Sequence, residues 1–220
     1  MRFVQVLALA AVAGFPAVAT SATLLTTFAA TNVGAQGWTS FFDLTVAASN
    51  PNGVTITEVA VNSAEGASGT ISLYVRPLTY VGAETNAAAW TLASTGAVSG
   101  FGAIASNVTD FSLMPGTYGV AIVNSGLRVA WTTPSSDYAN ADLSIDSGAV
   151  AGGEFSGTLF PSSTWNGQLT YEVVQVSAVP EPGEWAMMLS GLGIIGWAAR
   201  RRRCAVSAIG LERARPPASR

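Results

Sequence analysis

The sequence predicts an all-β chain: a single antiparallel β-sandwich of jelly-roll or Greek-key kind, flanked by an N-terminal signal peptide and a C-terminal transmembrane helix. Three observations carry this expectation. Short stretches of alternating apolar and polar residues recur through the middle of the chain, and helix signals there are weak. Gly, Pro, Asn and Ser separate those stretches at turn-like intervals. Two uncharged apolar runs stand near the ends, each beside arginine.

The first run opens the chain. Met1-Arg2 is a short positive region, residues 3–12 (FVQVLALAAV) are apolar but for Gln5, and Ala17-Val18-Ala19 has the small-x-small pattern of a signal peptidase site. Residues 1–19 read as a signal peptide, with Ala17 and Ala19 as its cleavage site and Ala22 as an alternative; a first core helix is the plainer alternative. No cysteine follows that run directly, so a lipoprotein is not expected. The exported domain is taken as 20–178.

Strand signals within it come in order. Residues 38–46 (WTSFFDLTV) read as a strand, and Asn52-Gly53 is a turn leading into 54–61. Ile71, Leu73 and Val75 share one face of 70–76. A short stretch at 89–93, an ambiguous Gly- and Ala-rich run at 96–105, and 107–113 lead to a turn at Met114-Pro115-Gly116. Tyr118, Val120 and Ile122 alternate in 117–123; 127–132, 142–145 and 168–176 complete a set of roughly nine or ten strands with no repeat period.

Composition bounds the chemistry. The 220 residues contain no His and no Lys, and Cys204 is the single cysteine. A Ser-His-Asp triad, a Cys-His pair, a His-containing zinc site and Schiff-base chemistry are therefore closed to it. Between Thr20 and Val179 only Arg76 and Arg128 are positive, against ten acids, a net charge of −8 (2 − 10). Such a domain has no footprint for nucleic acid. Only carboxylates remain for acid–base work, and a glycosidase needs two of them facing one another at roughly 5–10 Å. The sequence nominates no such pair, and no enzyme is expected.

Two binding possibilities have named residues. Asp137, Asn140, Asp142 and Asp146 offer oxygens in one stretch and are weak calcium candidates, although their spacing is not that of an EF-hand. Asx turns in a solvated loop are the plainer reading; otherwise no cofactor is expected. For a sugar, an exposed ring is needed, from Trp38, Trp90, Trp131, Trp165, Tyr80 or Tyr138. Trp165-Asn166-Gly167 reads as a loop, so Trp165 and Asn166 are the expected glycan contacts; core packing is the competing role.

The last segment, 179–203, is the most ordered by chemistry. Pro180, Glu181 and Pro182 cannot be helix interior or central strand. From Trp185 to Ala199 no residue is charged, and Arg200, Arg201, Arg202 and Arg203 follow. The uncharged run would span roughly 22 Å as a helix, about 27 Å from Pro182, against a hydrocarbon core of about 30 Å. Trp185 and Trp197 suit the two interfaces, and the arginines place the preceding domain outside by the positive-inside rule. A buried helix with a basic tail, or a plain tail anchor, are the alternatives; residues 204–220 would be a cytoplasmic tail.

The order Pro-Glu-Pro, Trp-Ala-Met-Met-Leu, Gly-Leu-Gly and an arginine cluster closely resembles the PEP-CTERM sorting signal of exported Gram-negative bacterial proteins. The resemblance implies recognition by exosortase, a membrane-embedded protease-like enzyme, with cleavage at or near Pro180 to Pro182. It implies an inner-membrane precursor that ends at the cell surface or in an exopolysaccharide-rich biofilm matrix. The family usually ends soon after the arginines, so the tail from Cys204 to Arg220 is a departure. The run through Tyr74-Val75-Arg76, Tyr80-Val81-Gly82, Ala89-Trp90-Thr91, Leu113 to Gly119 and Trp165-Asn166-Gly167 is similar to a β-sandwich region of such proteins. Three roles stay open for the domain: a surface or matrix component, a polysaccharide-binding module, and a carboxylate-based glycan hydrolase.

Overall fold

A computed structural model describes residues 21–175, 187 and 189–195. The signal peptidase site at Ala17 and Ala19, the Pro180-Glu181-Pro182 element, Trp185, Ala199, the four arginines and the tail lie outside the described residues. The chain divides into two units, Met1–Val176 and Ser177–Arg220.

Among the described residues the first unit has twelve strands, all paired antiparallel. They are β1 (Ser21–Leu25), β2 (Asn32–Gln36), β3 (Thr39–Val46), β4 (Val54–Pro77), β5 (Thr91–Ser106), β6 (Phe111–Leu113), β7 (Gly116–Ser125), β8 (Arg128–Thr132), β9 (Tyr138–Ala139), β10 (Leu143–Gly153), β11 (Ser156–Trp165) and β12 (Gly167–Val173). Hydrogen bonding joins them into one sheet in the order β1-β12-β4-β7-β3-β10-β11-β8-β2, with β5 and β6 beside β4 and β9 beside β10. The antiparallel all-β expectation holds, while the hydrogen bonds form one continuous sheet rather than two separate ones.

The continuity comes from β4. Its first half pairs with β12 from Val54 to Val61, and its second half pairs with β7 from Thr70 to Pro77. Between them, at Ser63, it also touches Val129 of β8. The strand changes partners where the register with β5 slips between Ser63 and Ala67. Gly100 (φ 130°) and Gly102 (φ 80°) on β5 lie at the same corner, in a backbone region closed to most side chains. Ser106 Oγ, from beyond the corner, donates to the Ala97 carbonyl before it, at 3.0 Å. Two stretches expected as separate strands, 54–61 and 70–76, are thus one bent strand, and the ambiguous Gly-rich run is its partner.

Alternation then decides what is buried. On β3, Phe42, Leu44 and Val46 enter the main core, beside Leu24 of β1, Ile56 and Leu73 of β4, Ile122 of β7, Ile145 of β10 and Leu169 and Tyr171 of β12. Phe42 is fully buried and stacks on Trp165, ring centroids 5.3 Å apart and planes 15° from parallel. On the other face of the same sheet, Phe41 anchors a smaller cluster with Trp90, Ala121, Val123, Ala151 and Phe155. Residues 78–90 roof that face: Asp43 accepts the Thr79 hydroxyl (2.7 Å) and the Tyr80 amide (2.9 Å), and Trp90 Nε1 donates to the Ala83 carbonyl (2.9 Å).

The Asn52-Gly53 turn forms as expected. The Gly53 amide donates to the Asn50 carbonyl at 2.8 Å, with Gly53 at φ 78°. A Cβ at Gly53 would collide with the Leu113 carbonyl, so sterics and dihedral both demand glycine. This turn brings the start of β4 beside the β6–β7 turn.

Candidate sorting segment and binding surfaces

The oxygen-rich stretch 137–146 is organised by the protein itself. Asn140 Oδ1 accepts the amides of Asp142 (3.0 Å) and Leu143 (2.9 Å), an Asx turn that starts β10. Its Nδ2 donates to the Thr23 carbonyl of β1 (3.0 Å) and to the Tyr171 hydroxyl of β12 (2.9 Å). Asp142 accepts Asn50 Nδ2 (3.0 Å) with one oxygen and the Tyr171 hydroxyl (2.9 Å) with the other. Asp137 accepts the Ser147 amide at 2.9 Å. Asp146 is exposed and is the register partner of Asp43 on β3, on the same face of the sheet. Three of the four calcium candidates therefore serve as turn and strand ties. Among the described residues no three acidic or thiol groups converge as metal ligands.

That knot has a pH signature. Burial, then the hydrogen bond to Asp142, pushes the Tyr171 hydroxyl up to about 12, against a smaller opposing effect of the Asn140 amide. The unfolded phenol loses its proton near pH 10. The folded state then holds the extra proton between about pH 10 and 12, so its stabilisation is complete below pH 10 and falls as pH rises through that window. Chemical denaturation from pH 8 to 12 should show a loss of about 2 kcal/mol. Tyr171→Phe should remove that part of the slope, leaving the contribution of Tyr74 and Tyr80, whose hydroxyls burial also raises.

Trp165 and Asn166 are placed differently from the open loop expected of them. Trp165 is 3% exposed and Asn166 fully buried, at the end of β11 and in the tight link to β12 rather than in an open loop. The reason is non-local. Thr26, just after β1, donates its hydroxyl to the carbonyls of Trp165 (2.7 Å) and Gly167 (2.9 Å), and the Asn62 amide donates to the Asn166 carbonyl (3.1 Å). Trp90 and Trp131 are buried as well. Trp38 keeps partial exposure but packs between Gly34 and Phe160, stacked on the latter at 5.3 Å. Tyr80 lies over Phe41 (6.2 Å), and Tyr138 packs on the main core. Among the described residues, Trp90, Trp131 and Trp165 are core, and the half-buried Trp38 is covered by Phe160.

One carboxylate pair is brought face to face by register, Asp43 of β3 and Asp146 of β10. Both oxygens of Asp43 are taken by the 79–80 backbone and hydroxyl, while Asp146 is exposed on the sheet surface. The two cations are also engaged. Arg76 Nη1 donates to the Thr79 carbonyl (2.7 Å) and its guanidinium lies 5.9 Å over Trp90; Arg128 Nε donates to the Gly34 carbonyl (3.2 Å).

In the second unit, Met187 and residues 189–195 are helical. Met187, Leu189, Leu192, Ile194 and Ile195 are all more than 60% exposed, a helix turn with apolar side chains facing outward. Among the described residues no helix is long and apolar enough to cross a membrane. Residues 178–203 match the PEP-CTERM protein-sorting motif, 26 of the 220 residues (203 − 178 + 1). Neither a curated protein nor a solved structure matches the chain.

Proposed function

We propose, with the PEP-CTERM motif at 178–203 as the premise, that this chain is the precursor of a non-catalytic cell-surface or extracellular-matrix protein. The motif itself implies an exported protein processed by exosortase at the membrane. In our reading, residues 1–19 direct export and residues 185–199 hold the precursor in the inner membrane. The arginines Arg200 to Arg203 keep its end on the cytoplasmic side. Cleavage near Pro180 to Pro182 then frees a β unit whose sheet, bent at β4, works as a two-layered sandwich.

The observation that carries this reading is the motif match beginning just after the β unit, whose last backbone hydrogen bond runs from the Val174 amide to the Gly53 carbonyl at 3.0 Å. The domain closes before the sorting segment starts, so cleavage there leaves every strand intact. A surface or matrix role in an exopolysaccharide-bearing biofilm is favoured by the domain's chemistry. Its four described tryptophans and the loop carboxylates Asp137 and Asp142 are spent on holding the fold.

The test places one epitope tag within the β unit and another after Arg220, in cells with and without exosortase. The β-unit tag should move to a smaller species lacking the tail tag only where exosortase is present. Both tags remaining on one membrane-bound species in both strains would reduce the segment to a plain anchor.

A further inference from the structure

We propose that the end of the β unit from which the chain departs rests on the lipid surface in the precursor, through Leu78, Met114 and Val174. This rests on the reading that 185–199 is inserted in the membrane, and adds which face of the domain meets that membrane.

The three side chains are brought to one end by the bend in β4. Val174 follows β12 and its amide donates to the Gly53 carbonyl at 3.0 Å. Gly53 in turn packs against the backbone of Leu113 and Met114. The Tyr118 hydroxyl donates to the Met114 carbonyl (3.0 Å), Tyr118 pairs with Pro77, and the Leu78 amide donates to the Thr117 carbonyl (3.0 Å). Both ends of β4 thus meet beside the start of β7. At this rim Leu78 is 74% exposed, Met114 56% and Val174 37%. Leu78 also holds a left-handed backbone (φ 72°), a conformation that costs a leucine about 1 kcal/mol or more. An outlier that turns an apolar side chain into solvent is the kind of strain found at working surfaces.

Chain length supplies the occupant. From Val174 to Trp185 there are eleven Cα steps (185 − 174), at most about 40 Å extended and about 20 Å as a typical coil. A unit of this size is about 40 Å across. Even fully extended that length does not exceed the domain's width, so the departing end is the part of the domain nearest the surface that would hold Trp185. Phe101, 75% exposed at the β4–β5 corner, marks a site away from that rim. At this end the described cation Arg76 is held by the Thr79 carbonyl and the Trp90 ring, while Glu172, two residues before Val174, is acidic, so no cation is presented to anionic headgroups. The contact is consequently apolar, and raised salt should not release it.

The experiment uses the full chain with Cys204→Ser, reconstituted in vesicles of phosphatidylethanolamine with a minor share of phosphatidylglycerol. Single cysteines at Leu78→Cys, Met114→Cys, Phe101→Cys and Leu192→Cys carry an environment-sensitive fluorophore, each variant first matched to the parent by thermal melting. Labels at 78 and 114 should shift to the blue and be quenched by lipids bearing a spin label near the headgroup, in low and high salt alike. The label at 101 should stay unquenched, and that at 192 should respond to a deep spin label. Quenching at 192 without any at 78 or 114 overturns the surface contact and leaves the membrane reading standing. No quenching at 192 overturns both together. Shielding of 78 and 114 only after exosortase is added makes the enzyme the occupant and overturns the lipid proposal, as does equal quenching at 101.

Discussion

Phe42→Ala is expected to cost the β unit about 3–5 kcal/mol, enough to consume much of the stability of an ordinary domain. Phe42 is fully buried in the middle of β3, and its ring stacks on Trp165 at 5.3 Å. The stack links the centre of the sheet to the β11–β12 connection, which the Thr26 hydroxyl holds from the first strand's end. Truncation removes a large apolar side chain from water-free packing and leaves a cavity that a sheet hydrogen-bonded on both sides of β3 cannot collapse. The loss should appear as a lower urea midpoint with an unchanged slope, followed through tryptophan fluorescence. A change below 1 kcal/mol would mean that the Phe42–Trp165 stack does not hold the core. The chain has no second cysteine to form a disulfide, so packing is all that can compensate.

Replacing Pro180, Glu181 and Pro182 together by alanine is expected to abolish processing in vivo while leaving the β unit's melting unchanged. The three residues lie beyond the Val174–Gly53 hydrogen bond that closes the sheet, and within the 178–203 motif. Proline lacks an amide hydrogen and disfavours helix interiors and central strands, so the prolines on both sides of Glu181 are the feature of the motif that the substitution removes. Alanine there lets the helix signal of the following apolar run extend upstream. The readout is the two-tag blot, where the variant should keep both tags on one species in cells with exosortase, beside a thermal melt of the soluble unit. Processing at the parental rate would move the recognition element elsewhere within 178–203.

Local signals were legible in the sequence wherever the physics was local. The alternation of Phe42, Leu44 and Val46, or of Leu169 and Tyr171, is written in a two-residue period and survives in β3 and β12. The Asn52-Gly53 turn was equally readable, because only glycine takes φ 78° there without strain. By contrast, β1, β2, β9 and β11 have no clear alternation and do not stand out in the sequence; they are edge, short or bulged strands whose pairing is dictated by neighbours. A signal for the corner in β4 did exist, namely Gly66 in the unpaired stretch between Ser63 and Ala67, the partners of Gly102 and Gly100, but it reads as ambiguity until the two strands are paired.

The candidate site residues divide the same way. The sorting segment is a one-dimensional code of prolines, uncharged residues and arginines in order, so sequence alone determined it, as it determined the absence of histidine and lysine and the chemistries that absence closes. Tertiary structure decided the rest. Trp165 is held by Thr26, 139 residues away in the chain, Asn166 by Asn62 and Thr132, and Asp142 by Asn50, 92 residues away. Whether an aromatic ring or a carboxylate is free to bind depends on which distant backbone folds across it, and no local pattern encodes that. The gathering of Leu78, Met114 and Val174 at one end has the same origin: a single strand that bends and returns both its ends to the place where the chain leaves the fold.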